Sequence, residues 1–139
     1  MTKKIIVVIT DMLVNRRVKN ATPLVYDSIQ FKSKLEVYCY RRLKECNILA
    51  NYEPIKFVIQ PGFTLFNEKI RPITYTPDFV GNNFIIECKG MQTDTFKIKW
   101  KLFKYYLFTN NISYKLYLPR NQKDVEKVIQ EIKNERKNN

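Results

Sequence analysis

Thr76-Pro77-Asp78-Phe79, a Gly81-Asn82-Asn83 reversal and the run Phe84-Ile85-Ile86-Glu87-Cys88-Lys89-Gly90 follow one another closely in this chain. Side chains alternate across a strand with period two. Ile85, Glu87 and Lys89 therefore share one side, and Phe84, Ile86 and Cys88 form an apolar face on the other. Gly81-Asn82-Asn83 has residues that tolerate positive φ in a short hairpin loop. Such a hairpin brings Asp78 back alongside the Glu-x-Lys strand. Two carboxylates at such close range repel each other unless a cation lies between them. Hard oxygen ligands with room for water and phosphate suit Mg²⁺ or Mn²⁺.

Glu-x-Lys alone occurs in many ordinary strands, and acids on a hairpin are commonly a solvated face. The full string is more specific, because an acid after proline, a short gap, an apolar run and Glu-x-Lys-Gly coincide. Working outward, Ser33-Lys34-Leu35-Glu36 opens a helix over about 33–47 in which Leu35, Cys39, Leu43 and Cys46 form an apolar stripe. Ser33-x-x-Glu36 is a capping box, in which Ser33 accepts from the first free amides and Glu36 reaches back to the Ser33 amide. Glu36 also sits at the border of the apolar stripe, where it can lean toward a site at a sheet edge.

In these pieces taken together the chain resembles the PD-(D/E)XK nuclease superfamily, and within it the junction-resolving phage endonuclease I group and related small phage nucleases. The likeness rests on Tyr26-Asp27-Ser28-Ile29-Gln30-Phe31-Lys32-Ser33-Lys34-Leu35-Glu36, on Tyr75-Thr76-Pro77-Asp78-Phe79 and on Ile86-Glu87-Cys88-Lys89-Gly90, and extends to about residue 108. The resemblance implies an α/β fold with a restriction-endonuclease-like core, a central mixed β-sheet flanked by helices. It implies catalytic Glu36, Asp78, Glu87 and Lys89, with one or two Mg²⁺ (or Mn²⁺) ions held by Asp78, Glu87, Glu36 and the Cys88 backbone carbonyl. Phosphodiester hydrolysis to a 5′-phosphate and a 3′-hydroxyl would follow. Branched DNA, above all a four-way junction, is the implied substrate, and symmetric nicking of a junction needs two sites and so a homodimer. A duplex or single-strand endonuclease is the alternative enzyme, since one core hosts many substrates. A DNA-binding module with a vestigial core is the alternative outside catalysis.

Composition bounds these readings. At 139 residues the chain is expected to be one domain, with an N-terminal strand and basic connector over 1–30, a core over 33–118 and a C-terminal helix and frayed tail over 121–139. Histidine is absent, which excludes a Ser-His triad or a zinc deaminase. The three cysteines, Cys39, Cys46 and Cys88, lack Cys-x-x-Cys spacing and suit packing in a reducing cytoplasm. No apolar run approaches the ~20 residues that a membrane-spanning helix needs, and Lys3-Lys4 before Ile5-Ile6-Val7-Val8-Ile9 reads as a strand rather than a signal peptide.

A formal charge of +12 points to nucleic acid as the partner, because cations that neutralise phosphates release condensed counterions. Asp94-Thr95 is expected to cap a helix over about 95–108. Phe96, Trp100, Phe103 and Leu107 fall on its core stripe, and Lys97, Lys101 and Lys104 fall on the adjacent one. These lysines, with Arg16, Arg17, Lys19 and Lys34, are the candidate DNA contacts. Strands are expected near 4–10, 55–60, 63–67, 77–80, 84–89 and 114–118. A last helix after Asn121 carries Val125, Val128, Ile129 and Ile132 on one face.

Overall fold

The computed structural model describes residues 6, 7 and 24–138. The expected DNA contacts Arg16, Arg17 and Lys19 lie outside the described residues, as does most of the expected strand over 4–10. The chain divides into two compact units, residues 1–47 with 121–139 and residues 48–120. Both helices and strands are present, and one sheet mixes parallel and antiparallel pairings. No helix among the described residues is long and apolar enough to cross a membrane.

In the first unit, β1 (Ile6–Val7), β2 (Leu24–Tyr26) and β3 (Ile29–Phe31) form an antiparallel sheet, and α1 (Lys34–Glu45) follows. The stretch before residue 30 was expected to be an irregular connector, yet residues 24–31 form a tight hairpin. Tyr26 pairs with Ile29, and Asp27 and Ser28 between them both take positive φ, 54° and 64°. Two successive residues at positive φ match the twist of the flanking strands. Asp27 is held there by the Tyr40 hydroxyl and the Lys44 ammonium. The last helix, α3 (Gln122–Lys137), is capped by Asn121, whose side-chain oxygen accepts from the Asp124 amide. Val125, Val128, Ile129 and Ile132 are buried as the periodicity requires. Glu126 joins α3 to α1 by accepting from Arg42 at 2.6 and 3.0 Å and from the Tyr38 hydroxyl at 2.6 Å. These hydrogen bonds, Arg42's foremost, hold the Glu126 carboxyl below the usual glutamate range.

The second unit is built on a four-stranded sheet in the order β11 (Lys115–Tyr117), β10 (Phe84–Ile86), β9 (Phe79–Gly81), β4 (Ala50–Tyr52). β9 and β10 are antiparallel across the two-residue loop Asn82-Asn83, and neither asparagine takes positive φ. The expected left-handed turn is therefore not what closes this hairpin. Gly81 matters for another reason: a Cβ there would run into the buried Phe84 ring. β10 and β11 run parallel, a pairing that needs a long crossover, and α2 (Asp94–Thr109) supplies it.

The N-cap of α2 is Thr93, one residue before the expected Asp94-Thr95, with its hydroxyl accepting from the Phe96 amide at 3.1 Å. The Asp94 side chain then falls in the first turn, where its charge complements the helix dipole. Phe96, Trp100, Phe103 and Leu107 bury as one stripe and meet Phe57, Tyr75, Val80 and Ile85. β10 was expected to present one apolar face and one site face, but Phe84, Ile85 and Ile86 are all buried. It is a central strand covered on both sides.

In the segment from 57 to 75 the strands expected near 55–60 and 63–67 are present, and two further strands pair with them. β5 (Phe57–Gln60) pairs with β8 (Ile73–Tyr75), and β6 (Phe63–Leu65) pairs with β7 (Glu68–Ile70). These four strands make one antiparallel ribbon that doubles back at Phe66-Asn67. Pro61 and Pro72 interrupt its ladder, since proline has no amide hydrogen to donate. Gly62 fits the crossing, as a Cβ there would stand 3.2 Å from the Pro72 ring and from the Ile70 carbonyl.

Candidate metal and active site

β9 and β10 fix the two carboxylates of the second unit. Pro77, fully buried, leads into Asp78 just before β9, and Glu87 follows directly on β10. Past the end of β10 the parallel pairing continues in register, with Glu87 N donating to the Tyr117 carbonyl at 2.9 Å and Lys89 N to the Pro119 carbonyl at 3.0 Å. The expected alternation to residue 89 thus holds beyond the formal strand end. Asp78 and Glu87 are both buried, at 5% and 6% exposure.

Each acid is tied to backbone at or beside the other. Glu87 Oε2 accepts from the Asp78 amide at 3.2 Å, and Asp78 Oδ2 accepts from the Cys88 amide at 2.8 Å. The Asp78 carbonyl in turn accepts from Glu53 N at 2.7 Å, which anchors the corner between β4 and β9. The result is a rigid pair of buried acids held side by side by main chain, a geometry that does not depend on flexible side-chain choices.

Tyr75, the last residue of β8, donates its hydroxyl to Glu87 Oε2 at 2.7 Å. Its ring is buried between Phe103, centroids 4.7 Å apart, and Trp100, 6.0 Å apart. Burial, then the Glu87 charge and hydrogen bond, then Asp78, push the Tyr75 hydroxyl well above its ordinary range, so it stays protonated and donates. Sequence reasoning gave Tyr75 no role in the site; it entered only as part of the Tyr75-Thr76-Pro77-Asp78-Phe79 stretch.

Lys89 is half-buried on the same side as Glu87, with its ammonium over the Phe96 ring at 4.9 Å from the centroid. Cys88 is buried, and its amide already serves Asp78. Lys97, Lys101 and Lys104 are exposed on the outer side of α2, and the Lys104 ammonium lies over Trp100 at 5.8 Å. Tyr75, Asp78, Glu87 and Lys89 are therefore brought together within one unit, with the basic face of α2 running on from Phe96.

Glu36 and Lys34 belong to the first unit. Glu36 is buried, and its Oε2 accepts from the Ser33 amide at 3.0 Å and the Lys32 amide at 2.7 Å, while Ser33 Oγ accepts from the Glu36 amide at 3.2 Å. The capping box read from Ser33-x-x-Glu36 is thus present in full. Lys34 is exposed at the first turn of α1.

Among the described residues, no three acidic or cysteine side chains gather as a ready metal-holding group. Mg²⁺ asks for less: it commonly takes one or two carboxylates and keeps water and substrate phosphate for the rest of its shell. The Asp78 and Glu87 pair, hard oxygen donors fixed at a buried corner, fits that requirement.

No curated protein and no solved structure matches the chain. One family model does, over residues 16–125, a span that holds α1, the ribbon, the acid pair and α2. The chain belongs to that family, described as protein of unknown function (DUF1064).

Proposed function

We propose that the protein is a metal-dependent DNA endonuclease with a restriction-endonuclease-like core, acting on branched DNA. The observation that carries the reading is the coupling of Asp78 and Glu87: two buried carboxylates, each hydrogen-bonded to the backbone beside the other, with Lys89 on the same side. Holding two acids buried together is costly unless a cation compensates them, and a chain of +12 charge supplies the affinity for a polyanion.

Asp78 and Glu87, with the Cys88 carbonyl, are the residues that would hold one or two Mg²⁺ or Mn²⁺ ions. Bound there, the metal supplies Lewis acidity to the phosphate and a more acidic water. Tyr75 keeps Glu87 oriented by donating to Oε2. Lys89 would place its ammonium against the negative charge that develops on the phosphate oxygens. Lys97, Lys101 and Lys104 hold the flanking phosphates. Glu36's part in the site, the junction preference, the homodimer and a cytoplasmic setting rest on the resemblance given above.

A second reading is favoured by one observation, that Asp78 Oδ2 and Glu87 Oε2 already accept protein hydrogen bonds. On that reading the acids are structural and the protein binds DNA without cutting it. The two are separated by incubating purified protein with a labelled immobile four-way junction, a flap and a linear duplex, with Mg²⁺ or Mn²⁺, beside Glu87→Gln. Paired metal-dependent nicks in the junction, lost in the variant, support the resolvase; equal cutting of all substrates supports a general endonuclease. Binding without cutting supports the structural reading and refutes the proposal.

A further inference from the structure

The ribbon over residues 57–75 ends in a feature that its own folding does not explain. Its base is in the core, where Phe57 and Tyr75 are buried opposite one another. Its tip is not: Phe66 is 93% exposed, and Phe63 and Leu65 are 47% and 52% exposed. Leu65 and Glu68 close a two-residue turn, and Phe66 occupies its first central position at a φ of 53°. That position favours glycine, and a bulky residue there is strained. A large apolar side chain is thus held out in water on a strained backbone, at the far end of an arm of about 30 Å by strand rise. Strain of this kind marks positions whose side chain is wanted for contact.

The surroundings identify what it would contact. Lys56, Lys69 and Arg71 along the arm are exposed, against the single acid Glu68. Period two places Lys69 with Thr64 on one face of the hairpin and Phe63, Leu65 and Ile70 on the other. A second copy of the chain carries the same net positive charge, so charge complementarity along the arm favours a polyanion over it. A polyanion meets the cations and, if it is nucleic acid, offers flat apolar base faces to the phenyl ring. Phosphate alone gives Phe66 nothing to pack on. Apolar side chains at the ends of basic elements insert at base steps and unstack them, and a base–aromatic stack needs no particular sequence.

We propose that Phe66 is a DNA wedge: the basic ribbon lies along the duplex, and the Phe66 ring stacks on the base pair laid open at a branch point. The proposal deepens the reading of the chain as a DNA-acting protein, and it does not require that the chain cut DNA. At its root the ribbon passes through Tyr75, which holds Glu87, into Asp78. Phe66 and Asp78 are therefore joined by one short run of chain through β7, β8 and Tyr75, which sets a branch point seated on Phe66 at a fixed reach from the acids.

The test measures binding by anisotropy of a labelled four-way junction and of a continuous duplex of the same sequence, in Ca²⁺, with 2-aminopurine beside the branch point reporting unstacking. Phe66→Gly relieves the backbone strain and so keeps the fold, Phe66→Trp keeps an aromatic ring, and Lys69→Gln removes a cation. Phe66→Gly is expected to weaken junction binding about tenfold, the scale of one lost stack, to leave duplex binding nearly unchanged and to abolish the 2-aminopurine rise. Phe66→Trp restores both signals, and Lys69→Gln weakens both DNAs alike. Junction binding and 2-aminopurine signal unchanged in Phe66→Gly overturn the proposal, as does a Phe66→Gly variant that only loses self-association in sedimentation. Glu87→Gln run in parallel keeps the questions apart: the wedge signals persist in it even if no DNA is ever cut.

Discussion

Tyr75→Phe removes one oxygen and leaves everything else in place, so its effect can be worked from the structure. The ring keeps its contacts with Phe103 and Trp100. What disappears is a 2.7 Å hydrogen bond to Glu87 Oε2, with donor and acceptor residues at 6% exposure each. A hydrogen bond to a charged group is worth about 1.5–3 kcal/mol, and water cannot replace it at a site this buried. Urea unfolding followed by the fluorescence of Trp100, the chain's one tryptophan and a direct neighbour of Tyr75, reads the loss as a lower midpoint; with an m-value of about 2 kcal/mol/M the shift is roughly 0.7–1.5 M. The pH dependence carries a sign. Because the Tyr75 hydroxyl is pushed up in the fold, its contribution is full below the ordinary tyrosine value of about 10 and is lost as pH rises beyond it. Wild type therefore loses this stability in alkali, and Tyr75→Phe does not. A variant as stable as wild type at neutral pH would refute the assignment of Tyr75 as the group that holds Glu87.

Glu36→Gln keeps an acceptor for the Ser33 and Lys32 amides and should unfold near the wild-type urea midpoint, whereas Glu36→Ala strips the cap and should cost about 1–2 kcal/mol; if cleavage vanishes in the stable Glu36→Gln variant, the acid works beyond the cap. Gly81→Ala drives a methyl group into the Phe84 ring and should destabilise by about 1–3 kcal/mol in the same assay, which an unchanged midpoint would contradict. The Glu126 carboxyl is held low by Arg42, so that contribution is present above the ordinary glutamate range and fades as pH falls through the lowered value. The pair is partly exposed, with the Glu126 side chain at 41%, and Arg42→Ala should cost under about 1 kcal/mol at neutral pH and nothing in strong acid, as acid titration of the two proteins would show.

The parts of the fold that were legible share a physical cause: a periodic apolar pattern over a long element. The stripe Phe96, Trp100, Phe103, Leu107 and the stripe Val125, Val128, Ile129, Ile132 bury as their spacing requires. The adjacency of Asp78 to Glu87 followed from strand alternation and a short reversal, and the hydrogen bonds between them agree with it. What could not be read was set by tertiary context. The expected strands at 55–60 and 63–67 are present as β5 and β6, but β7 and β8 were missed: the ribbon is broken by Pro61 and Pro72 and turns at Phe66-Asn67, which lacks the glycine that marks such turns. The two missed strands are only three residues long, too short for alternation to stand out. The Asp27-Ser28 turn was hidden likewise, because its left-handed backbone is supported by Tyr40 and Lys44, residues a helix away. Tyr75 is the instructive omission: its hydroxyl matters only once pairing with Phe57 has buried it against Glu87.

The account stands on Asp78 and Glu87 acting as a metal pair, and calorimetric titration of Mg²⁺ and Mn²⁺ into wild type, Asp78→Asn and Glu87→Gln tests that most directly. The account predicts saturable binding to wild type and none to either variant, with both variants folded by circular dichroism. A wild-type protein that takes up neither ion, or variants that bind as well as wild type, would contradict it.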